Sequence, residues 1–250
     1  MNDSLMTRQI FNRTHLYLPL IFFILALSLD AVFGLDLHLA DWLFNLQDGS
    51  WALRDSWLTQ NFLHTGGRNF SVLLALLLLI LISASYAVEK LKPLRRGLWM
   101  VFVAAFVSAL VVSLLKSVTH QVCPWDINRY GGVKPLLSFF QSYAVNTDVG
   151  GCFPAGHASA GYSWFGLYFF ARQYAYGWRF HALIIPVGLG LIFGFDQQLR
   201  GAHFLSHDIW TAGICWMLAL AMSMLFKTGN FPTRDVLLPG RTDKAAASLS

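Results

Sequence analysis

Arg200-Gly201-Ala202-His203-Phe204-Leu205-Ser206-His207-Asp208 stands between two strongly apolar runs and puts an arginine, two histidines and an aspartate into nine residues. As a helix, the stretch would set His203 and His207 four apart on one face, with Arg200 a further turn back. A lipid-buried helix carries that much polarity only for a task, so the stretch reads as functional and its flanks as membrane spans. Composition points the same way. Of 250 residues, 56% are hydrophobic and 12% charged, whereas soluble domains carry about a quarter charged residues. The expected class is an all-α, polytopic membrane protein with the bilayer as its first partner.

Outward from that stretch, six runs approach the roughly 20 apolar residues a span requires. They fall near 16–34, 70–88, 98–115, 157–172, 180–198 and 208–226. The segment before the first run is polar and no small-residue cleavage site follows it, so this run is read as a retained helix. Six spans put both termini on one side. Assigning the termini and the 89–96 and 172–179 loops to the cytoplasm gathers most of the 18 Lys and Arg residues there, as the positive-inside rule requires. Residues 1–226 then form one six-span domain with its long loops outward, and 227–250 form a polar cytoplasmic tail expected to be disordered. The formal charge of +5 is spread over loops and termini, so no nucleic-acid partner is expected.

The first outer loop, 35–69, mixes Trp42, Trp51, Trp57 and Phe62 with Asp and Asn, a pattern for short interfacial helices serving as a lid, a lipid entrance or an aromatic anchor. The second begins at Lys116. On a helix Lys116 and His120 share a face; Pro124 then stops the helix and Gly131-Gly132 turns the chain. The loop returns through Gly151-Cys152-Phe153-Pro154-Ala155-Gly156-His157-Ala158-Ser159, a turn into a helix start whose free N–H groups suit an anion.

Three segments thus bring Lys116, Arg129, His157, Arg200, His203 and His207 to one side of the membrane. Phosphoryl transfer needs such a set: cations for the non-bridging oxygens, a nucleophile, and an acid for the leaving oxygen. A held imidazole can attack, and a second can protonate the departing alkoxide. His203-x3-His207 also has the spacing of a helical zinc pair, but Phe204 stands where a zinc protease carries Glu and no third ligand is evident, so no metal is expected. His15, His38, His64 and His181 are read as interfacial residues without function.

The order and spacing of these segments over residues 116–208 resemble the type 2 phosphatidic acid phosphatase superfamily, which includes membrane lipid phosphatases and shares its core with vanadium haloperoxidases. That family carries Lys-x6-Arg-Pro, Pro-Ser-Gly-His and Arg-x5-His-x3-Asp. Lys116 and Pro124 fit the first motif, yet Cys123 replaces its arginine, with Arg129 the nearest substitute. Pro154-Ala155-Gly156-His157 is the second, with alanine for serine and Ser159 as a possible compensating donor beside Gly156. In the third, His203 aligns with the nucleophile, His207 with the orienting aspartate and Asp208 lies next to it. Gln197 holds the arginine position, and Arg200 sits three later.

The resemblance implies a divergent, metal-independent and cofactor-free phosphatase. His203 would be its nucleophile and His157 its general acid, with His207 and Asp208 beside them; Lys116, His120, Arg129, Arg200, Gly156 and Ser159 would bind substrate. It also implies a bacterial inner membrane and a periplasmic site acting on phosphatidic acid, phosphatidylglycerol phosphate, polyprenyl pyrophosphate or lipid A. A lipid phosphotransferase with the same site, and a non-enzymatic transporter or lipid-anion binder, are the alternatives; oligomeric state is open. Cys123 and Cys152, each within two residues of a motif proline, are expected to pair in an oxidising compartment. Closing about 30 residues stabilises by roughly 3–4 kcal/mol in the chain-entropy account.

Overall fold

The computed structural model describes residues 11–119, 121–136 and 151–226; His120 and the 227–250 tail lie outside the described residues. Among these the chain is helical, with a lone bridge between Ile127 and Lys134. The helices are α1 (Leu18–Phe33), α2 (Leu35–Asn45), α3 (Gly66–Ala87), α4 (Arg95–Val118), α5 (Gly156–Tyr162), α6 (Gly166–Tyr174), α7 (Arg179–Leu199) and α8 (Leu205–Leu225). Wider-wound turns at Arg13–Tyr17 and Trp57–Thr65 lead into α1 and α3.

Among the described residues, five helical segments are long and apolar enough to cross a membrane: Arg13–Phe33, Trp57–Ala87, Glu89–Val118, Tyr176–Leu199 and Leu205–Leu225. Their outer faces carry the exposed apolar side chains, such as Ile21, Phe22, Leu73, Leu77, Ile184 and Leu191. A lipid environment accounts for such a surface; water does not. The segment expected near 157–172 is helical through α5 and α6 yet too polar to join those five. It packs against α4, α7 and α8, and burial by other helices removes the need for an apolar face toward lipid. Its small residues allow that packing: a Cβ on Gly161 would stand 2.2 Å from the Gly190 nitrogen of α7. Met100, Val101, Ala104, Tyr162, Phe165, Phe169, Cys215 and Ala219 form the core around it.

Two expectations change here. The second membrane segment starts at Trp57 rather than near 70, and at 31 residues it exceeds the roughly 20 that the apolar layer requires. Its first turns therefore stand clear of that layer and carry Gln60 and His64 to the rim. Nor is His15 an idle interfacial residue. It is 1% exposed, its Nδ1 donates to Phe11 O at 3.0 Å, its Nε2 accepts from Arg172 (2.9 Å) and Tyr168 Oη (2.8 Å), and its carbonyl accepts from Trp216 Nε1 at 2.8 Å. These bonds pin the start of the first segment to α6 and α8.

Beyond the helix ends, Val122, Ile127 and Tyr130 of the second loop pack with Ala40 and Phe204 against Phe44 and Trp51 of the first. Cys123 and Cys152 are bonded, with Cα atoms 5.3 Å apart and 29 residues between them in sequence. The loops after α1 and after α4 thus share a small apolar core of their own.

Candidate active site

The stretch 200–208 is not one helix. Arg200 caps α7, Gly201 turns the chain at φ +69°, and Phe204 is extended before α8 begins at Leu205. Glycine takes that left-handed conformation without steric cost. His203 consequently lies in the turn and His207 in the first turn of α8, yet their Nδ1 atoms still approach to 3.4 Å. Both rings also donate to the Cys152 backbone carbonyl. Each is 4% exposed. Burial, with the neighbouring His207 and Lys116, holds the His203 imidazole well below its usual pKa, because charge is costly away from water.

Backbone bonds close the three motif segments on one another. Trp125 N–H donates to Gly201 O at 2.9 Å, Cys152 N–H to Gln121 O at 2.9 Å, and Thr119 Oγ1 to Phe153 O at 2.5 Å. Thr211 Oγ1 donates to His207 O (2.8 Å), with Ala155 O also within reach of the same hydroxyl at 3.2 Å. Lys116, in the last turn of α4, directs its ammonium to the start of α5: Nζ lies 3.8 Å from where a Gly156 Cβ would be. Ala155 offers that helix no side-chain cap. Ser159 does not replace the missing serine as a donor, since its hydroxyl donates to Gly156 O at 2.6 Å.

The two candidate arginines separate. Arg129 is turned away to Asp41 of α2 (2.8 and 2.6 Å), where Tyr130 Oη also donates at 2.9 Å. The bond to Arg129 holds the Asp41 carboxyl below its usual range. Arg200 is 5% exposed and is held by Arg54 O (2.8 Å), Gln197 Oε1 (3.3 Å) and Gln60 Oε1. Its charge, with that of Lys116, reaches His157 and His64. Asp208 faces α7: its carboxylate accepts from Gln198 and lies against Gly194.

Residues read as a lid or an anchor carry the rest of the site. His64 is not idle, for its ring stacks on His157 with centroids 3.5 Å apart at 17°. Asp36 accepts from Ser206 N–H (2.8 Å) and Oγ (2.5 Å), capping the helix that bears His207. Burial lifts the Asp36 carboxyl to about 6, opposed by these bonds. Gln47 Nε2 donates to Leu199 O at 2.9 Å, capping α7 beside Arg200. No period or spacing in the sequence marks these supports.

A grouping of metal-type ligand atoms, Cys123, Asp126 and Cys152, has both sulfurs committed to the disulfide. What the histidine cluster offers instead is imidazoles, buried cations and a helix start, a set suited to an oxyanion. The family model described as the PAP2 superfamily matches residues 97–230, more than half of the chain. The chain belongs to the PAP2 superfamily. No curated protein and no solved structure matches it. Members of this superfamily are phosphatases acting on phosphate esters, and the apolar helices make this chain a membrane protein. The match contains Lys116, His157, Arg200, His203 and His207, while Asp36, Asp41, Gln47, Gln60 and His64 precede it.

Proposed function

We propose that this PAP2 protein is an integral membrane phosphatase that hydrolyses a lipid-linked phosphomonoester or pyrophosphate through a phosphohistidine, without a metal. The single observation that carries the reading is the approach of His203 to His207 at 3.4 Å beside the Lys116 ammonium and the α5 start. In this reading α5 and α6 form a sixth, central span, both termini are cytoplasmic, and the site faces the periplasm of a bacterial inner membrane.

Lys116 and Arg200 hold the non-bridging oxygens, which lowers the charge repulsion an incoming nucleophile meets. His203 Nδ1 faces His207 Nδ1 at 3.4 Å, so Nε2 is the nitrogen assigned to attack phosphorus. The bond from phosphorus to the lipid oxygen breaks as His157 gives that oxygen a proton. Water then attacks the phosphorus of phosphohistidine and His157 takes its proton, so inorganic phosphate leaves and His203 is restored. Asp36 and Gln47 serve as supports for α8 and α7, and Arg129 joins the two outer loops through Asp41.

The test is phosphate release from a panel of phosphatidic acid, phosphatidylglycerol phosphate and a polyprenyl pyrophosphate in detergent. Wild type is expected to hydrolyse at least one, and His203→Ala and His157→Ala to lose activity by at least about 100-fold, the scale of a general acid or nucleophile. Equal release by all three proteins removes the catalytic assignment.

A further inference from the structure

The geometry points to His64 as the positioning residue for His157 and to His157 Nδ1 as the atom that moves the proton. This inference rests on the proposed reaction, in which His157 is the acid and then the base.

His157 Nε2 lies 3.2 Å from the His64 backbone carbonyl. A carbonyl only accepts, so Nε2 must carry hydrogen whether the ring is neutral or charged. The ring's variable proton is then on Nδ1. As acid, the imidazolium gives the Nδ1 proton to the leaving oxygen while Nε2–H stays on the carbonyl. As base, the Nδ1 lone pair takes a proton from water. The backbone carbonyl thus does for His157 what a carboxylate does for the histidine of a hydrolytic triad: it fixes tautomer and orientation.

A single hydrogen bond leaves an imidazole free to swing about the bond axis. The His64 ring removes that freedom, since it lies nearly parallel to His157 at 3.5 Å and 17°, close to van der Waals contact. His64 is itself held in place: it sits near the end of the Trp57–Thr65 turns that run directly into α3, and Gln60 of the same turns is bonded to Arg200. Its Nδ1 is buried and has no hydrogen-bond partner among the described residues, so no polar contact at that atom competes with the stack. The two histidines are 93 residues apart in sequence, and His64 lies outside the region the family model matches. The ring face and the carbonyl come from one residue, which couples the position of the second segment to the acid.

The test compares steady-state hydrolysis by His157→Ala, His64→Ala and His64→Phe in the full-length protein, using the substrate found active in the lipid panel. His64→Phe keeps a flat ring and the backbone carbonyl but no titrating nitrogen. We expect His64→Ala to lower kcat by about 10–100-fold, part of the ~10²–10⁴ that a well-placed general acid supplies, with KM within about 3-fold and with His64→Phe recovering most of the loss. Nitrogen-15 spectra of histidine-labelled wild type should show the neutral His157 ring protonated on Nε2, and a mixture of tautomers in His64→Ala. Where alanine prevents folding, His64→Leu, which fills the space without a flat face, replaces it. Activity retained in His157→Ala would overturn the reaction itself. Activity lost there but unchanged in His64→Ala would overturn the role of His64 alone, as would His64→Phe as impaired as His64→Ala, which would require the His64 imidazole to take part chemically.

Discussion

Replacing Asp36 separates the cost of burying a carboxylate from the value of the cap it forms. Asp36→Ala removes the acceptor of two bonds from Ser206, a residue 5% exposed. A lost helix cap costs about 1 kcal/mol, and a buried donor left unpaired costs about 1–3 kcal/mol. Against this, burial raises the carboxyl from 3.8 to about 6. At 1.36 kcal/mol per unit, and discounted for partial exposure, the ionised form costs the fold roughly 1–3 kcal/mol. The folded-state pKa lies above the unfolded one, so this penalty is absent below pH 4, develops as pH rises from about 4 to 6 and is complete above that. Asp36→Ala should therefore be least stable relative to wild type at about pH 4, with the gap narrowing as pH rises to about 6 and constant above that. Asp36→Asn keeps an acceptor without the charge, and should match wild type near pH 4 and exceed it at pH 8. Thermal unfolding read by a thiol-reactive dye suits this chain, because Cys215 is its buried free thiol. Differences of several degrees are expected, at about 2–4 °C per kcal/mol for this size. Asp36→Asn melting below wild type at pH 8 would refute the reasoning.

Arg200→Ala should reduce kcat/KM by about 100-fold or more and Arg200→Lys should not restore it, since the forked bonds to Arg54 O, Gln60 and Gln197 require a guanidinium. Arg129→Ala, at an exposed pair with Asp41, should change stability by under about 1 kcal/mol and kcat little; the reverse order of effects would exchange their roles. Cys123→Ser should cost roughly 3–4 kcal/mol by the chain-entropy relation and show in the same unfolding assay, whereas alkylation of both Cys123 and Cys152 in non-reduced protein would contradict the bond. Because His203 is held below 6.5 by burial, it stays neutral as pH falls through that value, so the acid limb of kcat/KM assigned to it should lie below pH 6.5; a limb at 6.5 that vanishes with His203 would contradict this.

Much of the fold was legible because lipid contact writes itself into local composition: α1, α3, α4, α7 and α8 each carry an apolar run. The α5–α6 segment was harder, since a helix enclosed by others needs no apolar face and keeps His157, Ser159 and Arg172. Lys116, His157 and His203 could be picked out because each sits in a short polar motif between apolar runs. The supports could not. Asp36 meets Ser206 across 170 residues and Gln60 meets Arg200 across 140, and a single polar residue at either end has no period or spacing to mark it. The stretch 200–208, weighed as a helix, is broken at Gly201, whose positive φ turns the chain yet leaves the His203 and His207 rings adjacent.

The central claim is that the His203 ring carries phosphate between lipid and water. Rapid quenching of the protein during turnover of a lipid substrate labelled in the transferred phosphate, followed by peptide mapping, tests it most directly. An acid-labile, alkali-stable label on the peptide containing His203, present in wild type during turnover and absent in His203→Ala, is the predicted result. Turnover without label on His203, or label that persists in His203→Ala, would contradict it.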